Sequence, residues 1–256
     1  MTDFQGTFQK ALPAARALAR TMGPLVSGYR LWESGETLAV GVSGGKDSLS
    51  LCALLLAAES CGMPRCRVVA IHVPPPGNCP CAPQAERVPT LLAHMPIERL
   101  IFLPPPFSSN ETPDCSLCSR QRRRLLFSFC LENGIRTLAF GHHQDDLIET
   151  YLLNLLFHGE PSGTMRPLRT YADGALRLIR PLLTTPEKKV IAFARRTNLL
   201  WKQSSSAPAA SFEKFAGWHS QREVIRTFLH GLGRQREQVK RNLARLATDN
   251  FHGPFI

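Results

Sequence analysis

No cysteine follows Cys130: all eight of the chain's cysteines, Cys52, Cys61, Cys66, Cys79, Cys81, Cys115, Cys118 and Cys130, precede that point in a sequence of 256 residues. A site that needs thiolates must draw them from there. A chain this long needs no disulfide staples, so these are read as free thiols, metal ligands or a redox pair. Acidic residues are scarce too. Asp and Glu number 20 against 31 Lys and Arg, a formal net charge of +11, which points to a polyanionic partner. Long apolar runs are missing: the longest, Leu49 to Ala58, is about half of the ~20 residues that a bilayer crossing takes. The N-terminus lacks the apolar core of a signal peptide. A soluble, cytoplasmic protein with no membrane partner is therefore expected. Internal repeats are absent, and 43% hydrophobic with 20% charged residues excludes disordered and collagen-like classes.

What is present alternates. Residues 10–31 carry Ala and Leu at helical spacing, and Thr37 to Val42 reads as a strand ending in a glycine turn before a helix over Leu49 to Glu59. Further strands are expected at Arg67 to Val73, Ile97 to Leu103, Arg136 to Phe140 and Ala175 to Ile179, with helices at Cys118 to Asn133 and Asp145 to Phe157. Strands alternating with helices imply an α/β fold with a parallel, doubly wound sheet. Two proline-rich stretches, Pro74 to Pro83 and Pro104 to Pro113, read as loops leaving the carboxyl ends of strands, the edge where such sheets bind ligands. Beyond Pro186 the sequence turns to basic helices, with thirteen Lys and Arg against five acids, and Ser204 to Ser211 reads as a linker. The expected division is a helical segment over 1–36, an α/β domain over 37–185 and a basic helical extension over 186–256.

Three motifs carry chemistry. Ser43-Gly44-Gly45-Lys46-Asp47-Ser48 sits between strand and helix. Its glycines allow close backbone approach to an oxyanion, and the serines and helix-start N–H groups can bond phosphate oxygens. It is not a Walker A loop, whose spacing is longer. Asp47 beside polyphosphate makes sense if Mg²⁺ lies between them. Gly141-His142-His143-Gln144-Asp145-Asp146 follows the Arg136 to Phe140 strand. Adjacent histidines cannot share the face that a zincin-type zinc site needs, so this motif is read as helping to hold Mg²⁺ and to orient the nucleotide or acceptor. Cys115-Ser116-Leu117-Cys118 precedes Arg120, Arg122, Arg123 and Arg124. Its sulfurs can converge on one metal or react with each other, nearby arginines would lower their thiolate pKa values, and the arginines read equally as phosphate contacts or as a solvated face. Cys79 and Cys81 are mobile donors on a proline-rich loop, whereas Cys52 and Cys130 read as core thiols.

Together, SGGKDS, CSLCSRQRRR, GHHQDD and Ile179-Arg180-Pro181-Leu182 resemble the PP-loop ATP pyrophosphatases, and among them the tRNA 2-thiocytidine synthetase family. The resemblance runs from about Ala17 to Arg226. It implies an adenine-nucleotide α-hydrolase fold, ATP split to AMP and pyrophosphate, and sulfur delivered to cytidine in tRNA, with a sulfur donor such as a cysteine desulfurase as partner and a homodimer as an assembly to consider. Lys46, Asp47, Asp145 and Asp146 become the catalytic candidates. Ser43 to Ser48, His72, Gly141, His142 and Arg180 are assigned to ATP, Asp47 to Mg²⁺, and Arg120, Arg122, Arg123 and Arg124 to RNA. The family also implies a [4Fe-4S] cluster on three cysteines, two of them Cys115 and Cys118. Its third cysteine follows the RPL segment, where this chain reads Trp201-Lys202-Gln203-Ser204-Ser205-Ser206, and serine is a poor ligand for iron beside thiolates. Either Cys79 or Cys81 completes the cluster, or a serine or outside ligand does, or there is none. The alternatives in function are a PP-loop adenylating enzyme that works without a cluster, through a persulfide or an amine, and a non-catalytic nucleotide-dependent RNA-binding protein.

Overall fold

The computed structural model describes residues 4–77, 79, 82–93, 95–108, 111, 114–199, 221–232 and 235–252. Cys81, Trp201 to Ser206 and the Ser204 to Ser211 linker lie outside them. Six strands form one sheet: β1 (Glu36–Gly41), β2 (Cys66–His72), β3 (Arg99–Phe102), β4 (Thr137–Ala139), β5 (Leu168–Tyr171) and β6 (Leu176–Ile179), in the order β3-β2-β1-β4-β6-β5. The four pairings other than β5–β6 are parallel, so the doubly wound sheet expected from the alternation is found. One strand is added. β5 runs antiparallel to β6, joined by a turn in which Ala172, Asp173 and Gly174 all have positive φ. Arg169 and Thr170 on this edge strand are exposed, so no apolar alternation marked it.

Nine helices among the described residues complete the fold: α1 (Phe4–Gly28), α2 (Lys46–Leu56), α3 (Ala82–Ala85), α4 (Val88–Leu92), α5 (Cys115–Glu132), α6 (Gln144–Phe157), α7 (Glu187–Arg196), α8 (Gln221–Gly231) and α9 (Arg236–Asp249). None of the described helices is long and apolar enough to cross a membrane. Side chains of a strand alternate between sheet faces, and the core divides accordingly. Leu38 and Val40 of β1 point into a cluster with Leu18 and Met22 of α1, Leu51 of α2 and Phe193 of α7, while Ala39 between them joins Leu126 and Cys130 of α5 on the other face. A third cluster packs Ile148 and Leu152 of α6 on Ile225 and Leu229 of α8 and Ala244 of α9. Phe251, just beyond α9, belongs to the first cluster, so the basic helices share the core of the sheet.

Local chemistry moved several boundaries. α1 begins six residues before position 10 and continues through Pro13 and Pro24, each of which lacks a backbone donor. Its buried Ala11, Ala15, Leu18, Met22 and Leu25 recur at helical spacing and outweigh that cost. α5 starts at Cys115, because the Asp114 side chain accepts from the Leu117 N–H at 2.8 Å and caps the helix there. Pro83, expected in a loop, sits in the single turn of α3, where a missing N–H goes unused.

Candidate active site

The sheet order reverses at β1, whose two neighbours, β2 and β4, lead away in opposite directions. Open α/β sheets bind ligands in the crevice at the carboxyl edge of such a switch point. A cavity of about 300 Å³ occurs at this place, and the Ser43–Ser48 loop, the Gly141–Asp146 segment and α5 all contribute walls. A larger one, of about 480 Å³, lies at the amino ends of β1 and β2 among Val26, Trp32 and Met63. It holds none of the three motifs, so size does not decide here.

The phosphate loop is built by its own hydroxyls. Gly44 has φ +89°, a conformation that suits glycine alone at low cost. The Ser43 N–H donates to Ser48 Oγ at 3.2 Å, the Gly45 N–H to Ser43 Oγ at 3.3 Å, and Ser48 Oγ donates to the Gly45 carbonyl at 3.0 Å. The two serines thus shape the turn, which leaves anion binding chiefly to the N–H groups in the first turn of α2. Lys46 Nζ lies 3.0 Å from Asp47 Oδ1 and 2.9 Å from Glu187 Oε1. Burial alone would lower the Lys46 pKa, but Asp47 and Glu187 outweigh it and hold the ammonium above its ordinary value. His143 lies near both carboxylates, its Nε2 3.7 Å from Asp47 Oδ1 and 3.9 Å from Glu187 Oε1, and its Nδ1 is 3.4 Å from Asp146 Oδ2. Glu187 was missed in the sequence; its only signal was the Thr-Pro-Glu start of a helix soon after the RPL segment.

The end of β4 meets this loop through Gly141. A Cβ there would lie 2.8 Å from the Asp47 carbonyl carbon and oxygen and 2.9 Å from the Ser48 nitrogen. Its lack of a side chain permits this close backbone approach, and the residue also lines the cavity. Next to it, His142 lines the cavity, its ring edge-on to Phe140 at 5.7 Å. Burial, with Arg180 adding to it, pushes the His142 pKa down to about 4, so the imidazole is neutral at pH 7. Asp146 closes a capping box by accepting from the His143 N–H at 3.0 Å and also lines the cavity. Asp145 faces elsewhere. One of its oxygens accepts from the Glu187 backbone N–H at 3.1 Å and the other pairs with Lys240.

His72 is likewise a strut. Its Nδ1 lies 2.7 Å from the Val42 carbonyl, which can only accept, so that nitrogen carries the proton. It ties β2 to the start of the loop. Arg180 is buried behind His142. Its Nη1 donates to the Arg166 carbonyl at 2.7 Å, while its Nε has no hydrogen-bond partner. Burial lowers its pKa to about 10, Tyr171 opposes that and Arg123 adds to it. Arg122 and Arg123 line the cavity and give it a positive wall, and Asp47 and Asp146 line it too. Arg120 and Arg124 are exposed on α5, outside that wall.

Cys115 and Cys118 share the first turn of α5, the former exposed and the latter 8% exposed. The expected lowering of thiolate pKa is not found at Cys118. Burial raises it, Arg122 opposes, and Cys79, Cys115 and Asp114 add to the rise, so Cys79 is within electrostatic reach. No three His, Cys, Asp or Glu side chains among the described residues are grouped so as to hold a metal ion.

A model of the PP-loop domain matches residues 114–229. The tRNA-cytidine(32) 2-sulfurtransferase of Marinobacter nauticus is 31% identical over 219 residues, a stretch covering 80% of this chain and 71% of that protein. The chain belongs to the tRNA 2-thiocytidine synthetase family. Another member, from Bordetella pertussis, is 33% identical over 187 residues, 71% of this chain, and the match spans only 57% of that relative's length. Among solved structures, the U34-tRNA thiolase of Methanococcus maripaludis with its [4Fe-4S] cluster superposes with a TM-score of 0.69 at 18% identity, over 98% of this chain and 82% of that one. At that identity the likeness bears on the fold, and it agrees with the adenine-nucleotide α-hydrolase architecture.

Two outcomes follow from this geometry. Gly141→Ala pushes a methyl into backbone on the far side of the contact and costs about 1–3 kcal/mol, read as a lower Tm, with loss of nucleotide binding in the fraction that still folds. For His142, the unfolded chain gains a proton near pH 6.5 that the folded chain refuses until about 4. Folded stability is thus unaffected above the first value and falls as pH drops between the two. In urea titrations the wild-type chain therefore loses more stability across that interval than His142→Gln does; equal losses would contradict the assignment.

Proposed function

We propose that this chain cleaves ATP to AMP and pyrophosphate in order to adenylate the C2 oxygen of a cytidine in tRNA, and then replaces that oxygen with sulfur. The observation that carries the reading is the single cavity walled by the phosphate loop, the His142 and Asp146 segment, and the arginines that follow Cys118. A pyrimidine C2 oxygen is a very poor leaving group, and as an AMP ester it can be displaced. Lys46 and the first turn of α2 bind the phosphates and stabilise the negative charge that develops on departing pyrophosphate. Mg²⁺ fits as an ion shared between one or two carboxylates and substrate phosphates; Asp47 and Asp146 are the oxygens that would hold it, and its charge would add to that of Lys46. Arg123, with Arg180 behind it, provides positive charge for a phosphate or the acceptor.

The described donors do not fit a three-cysteine cluster: Cys115 and Cys118 stand together, no third ligand is grouped with them, and no cysteine follows Cys130. A second reading of the sulfur step is favoured by the pairing of an exposed Cys115 with a buried Cys118 on one helical turn. A persulfide on Cys115, loaded by a persulfide donor of the cysteine desulfurase kind, attacks C2 with its outer sulfur, and AMP leaves with the oxygen. The Cys118 thiolate then attacks Cys115 Sγ, which releases the thiocytidine and leaves a disulfide for a thiol reductant to reopen. A cytoplasmic setting, the division of labour among 1–36, 37–185 and 186–256, and tRNA contacts by Arg120 and Arg124 belong to the same proposal. Homodimerisation is not needed by it.

With α-labelled ATP, tRNA and a sulfur source, labelled AMP is the expected product, and labelled ADP as the main product would overturn the reading. Lys46→Ala and Asp47→Asn each lower turnover by about a hundredfold or more, the size seen when one such electrostatic group is lost. Cys118→Ser is expected to trap a disulfide between Cys115 and the RNA. Stoichiometric iron in anaerobically purified chain, lost on serine replacement of Cys115, Cys118 and either Cys79 or Cys81, would replace the persulfide with a cluster.

A further inference from the structure

The two acids that open α6 have parted company. Asp146 faces the cavity, whereas Asp145, 8% exposed, sits in a line of contacts that begins at the far end of the chain. Lys240 of α9 pairs with one Asp145 oxygen. The other accepts from the Glu187 N–H at 3.1 Å, and the Glu187 carboxylate is 2.9 Å from Lys46 Nζ.

We infer that Lys240 is a positioning residue for the nucleotide site: through Asp145 and the first turn of α7 it fixes the point from which Glu187 holds Lys46. α7 has Pro186 at its N-cap and no side-chain cap of its own. Asp145 therefore does across the chain what an N-cap residue does locally, placing a negative oxygen on the first N–H of α7, where the helix dipole favours it. Such a carboxylate is costly to bury without a partner, and Lys240, itself only 15% exposed, is that partner. Without it, Asp145 must take up a proton or turn toward another cation, and either response loosens the first turn of α7. Glu187 and Lys46 would then shift together.

The apolar cluster of Ile148, Leu152, Ile225, Leu229 and Ala244 and three further ion pairs keep the C-terminal helices docked independently of Lys240. Glu149 of α6 binds Arg222 at 3.3 Å and Arg226 at 2.8 Å, both from α8, and Lys188 of α7 pairs with Glu237 of α9 at 2.6 Å. A Lys240 variant is thus expected to fold. These pairs also change the meaning of the basic extension, since four of its cations are engaged with acids of the chain itself.

The inference rests on the reading of Ser43 to Ser48 as the ATP loop. In Lys240→Met, kcat for AMP formation is expected to fall by about tenfold to a hundredfold, as small displacements of reacting groups do, with KM for ATP changed by less than about threefold. Lys240→Arg should restore most of the rate. Adding Glu187→Gln to Lys240→Met should cost little more, because both cut one line of contacts. The salt dependence of tRNA binding should be unchanged, since a covered lysine releases no counterions. An unaltered kcat, fully additive losses, or a shallower salt slope with kcat intact would overturn the inference. If the wild-type chain itself forms no AMP, the ATP reading fails, and amide hydrogen exchange tests the link alone. Faster exchange in 43–48 and 187–190 of Lys240→Met supports it; unchanged exchange refutes it.

Discussion

One backbone contact governs the rest of the molecule. At the end of β4, Gly141 lies against the peptide between Asp47 and Ser48, closer than any side chain would permit. Two motifs far apart in sequence become one site because nothing but hydrogen stands between them. Parallel pairing of β1 with β4 brings their ends level, and the reversal of strand order there leaves the crevice open. From this follow the shared cavity, the placement of His143 near Asp47 and the reach of Glu187 to Lys46.

Both signs of charge meet in the site. Arg122 and Arg123 line the cavity together with Asp47 and Asp146, and Lys46 stands against Asp47 and Glu187. That mixture suits a ligand carrying both phosphates and a divalent cation. The remaining acids of α6, Asp145 and Glu149, one turn apart, face away and take their partners from the basic helices. Two of the positive charges that 186–256 carries in excess are thereby met by acids of α6. Arg120 and Arg124 on α5 are exposed, whereas Lys240 is covered.

The alternation of strands and helices made the sheet legible, because buried parallel strands leave short apolar runs such as Leu38 to Val40. The edge strand β5 escaped notice: with two exposed polar residues and no buried face, it carries no such pattern. The phosphate loop was legible as a motif, but the work of its serines was not, since composition cannot distinguish a hydroxyl that bonds a ligand from one that bonds its own turn. Asp145 and Asp146 look alike in sequence; their directions are set by helix phase and by α7 and α9, which only packing reveals. Glu187 and Lys240 stayed hidden for the same reason. At Cys118 only Arg122 of the neighbouring arginines lowers the thiol pKa, and burial, invisible in the sequence, outweighs it.

The claim on which all else rests is that the nucleotide occupies the carboxyl-edge crevice between β1 and β4. A photoreactive ATP analogue, cross-linked in the presence of Mg²⁺ and mapped by mass spectrometry of peptides, tests it directly. Label is expected on peptides that contain Val42 to Ser48, Ser119 to Leu126 or Phe140 to Asp146, with its loss when unlabelled ATP competes. Competable label confined to the other cavity, on peptides with Val26, Trp32 or Met63, would contradict it.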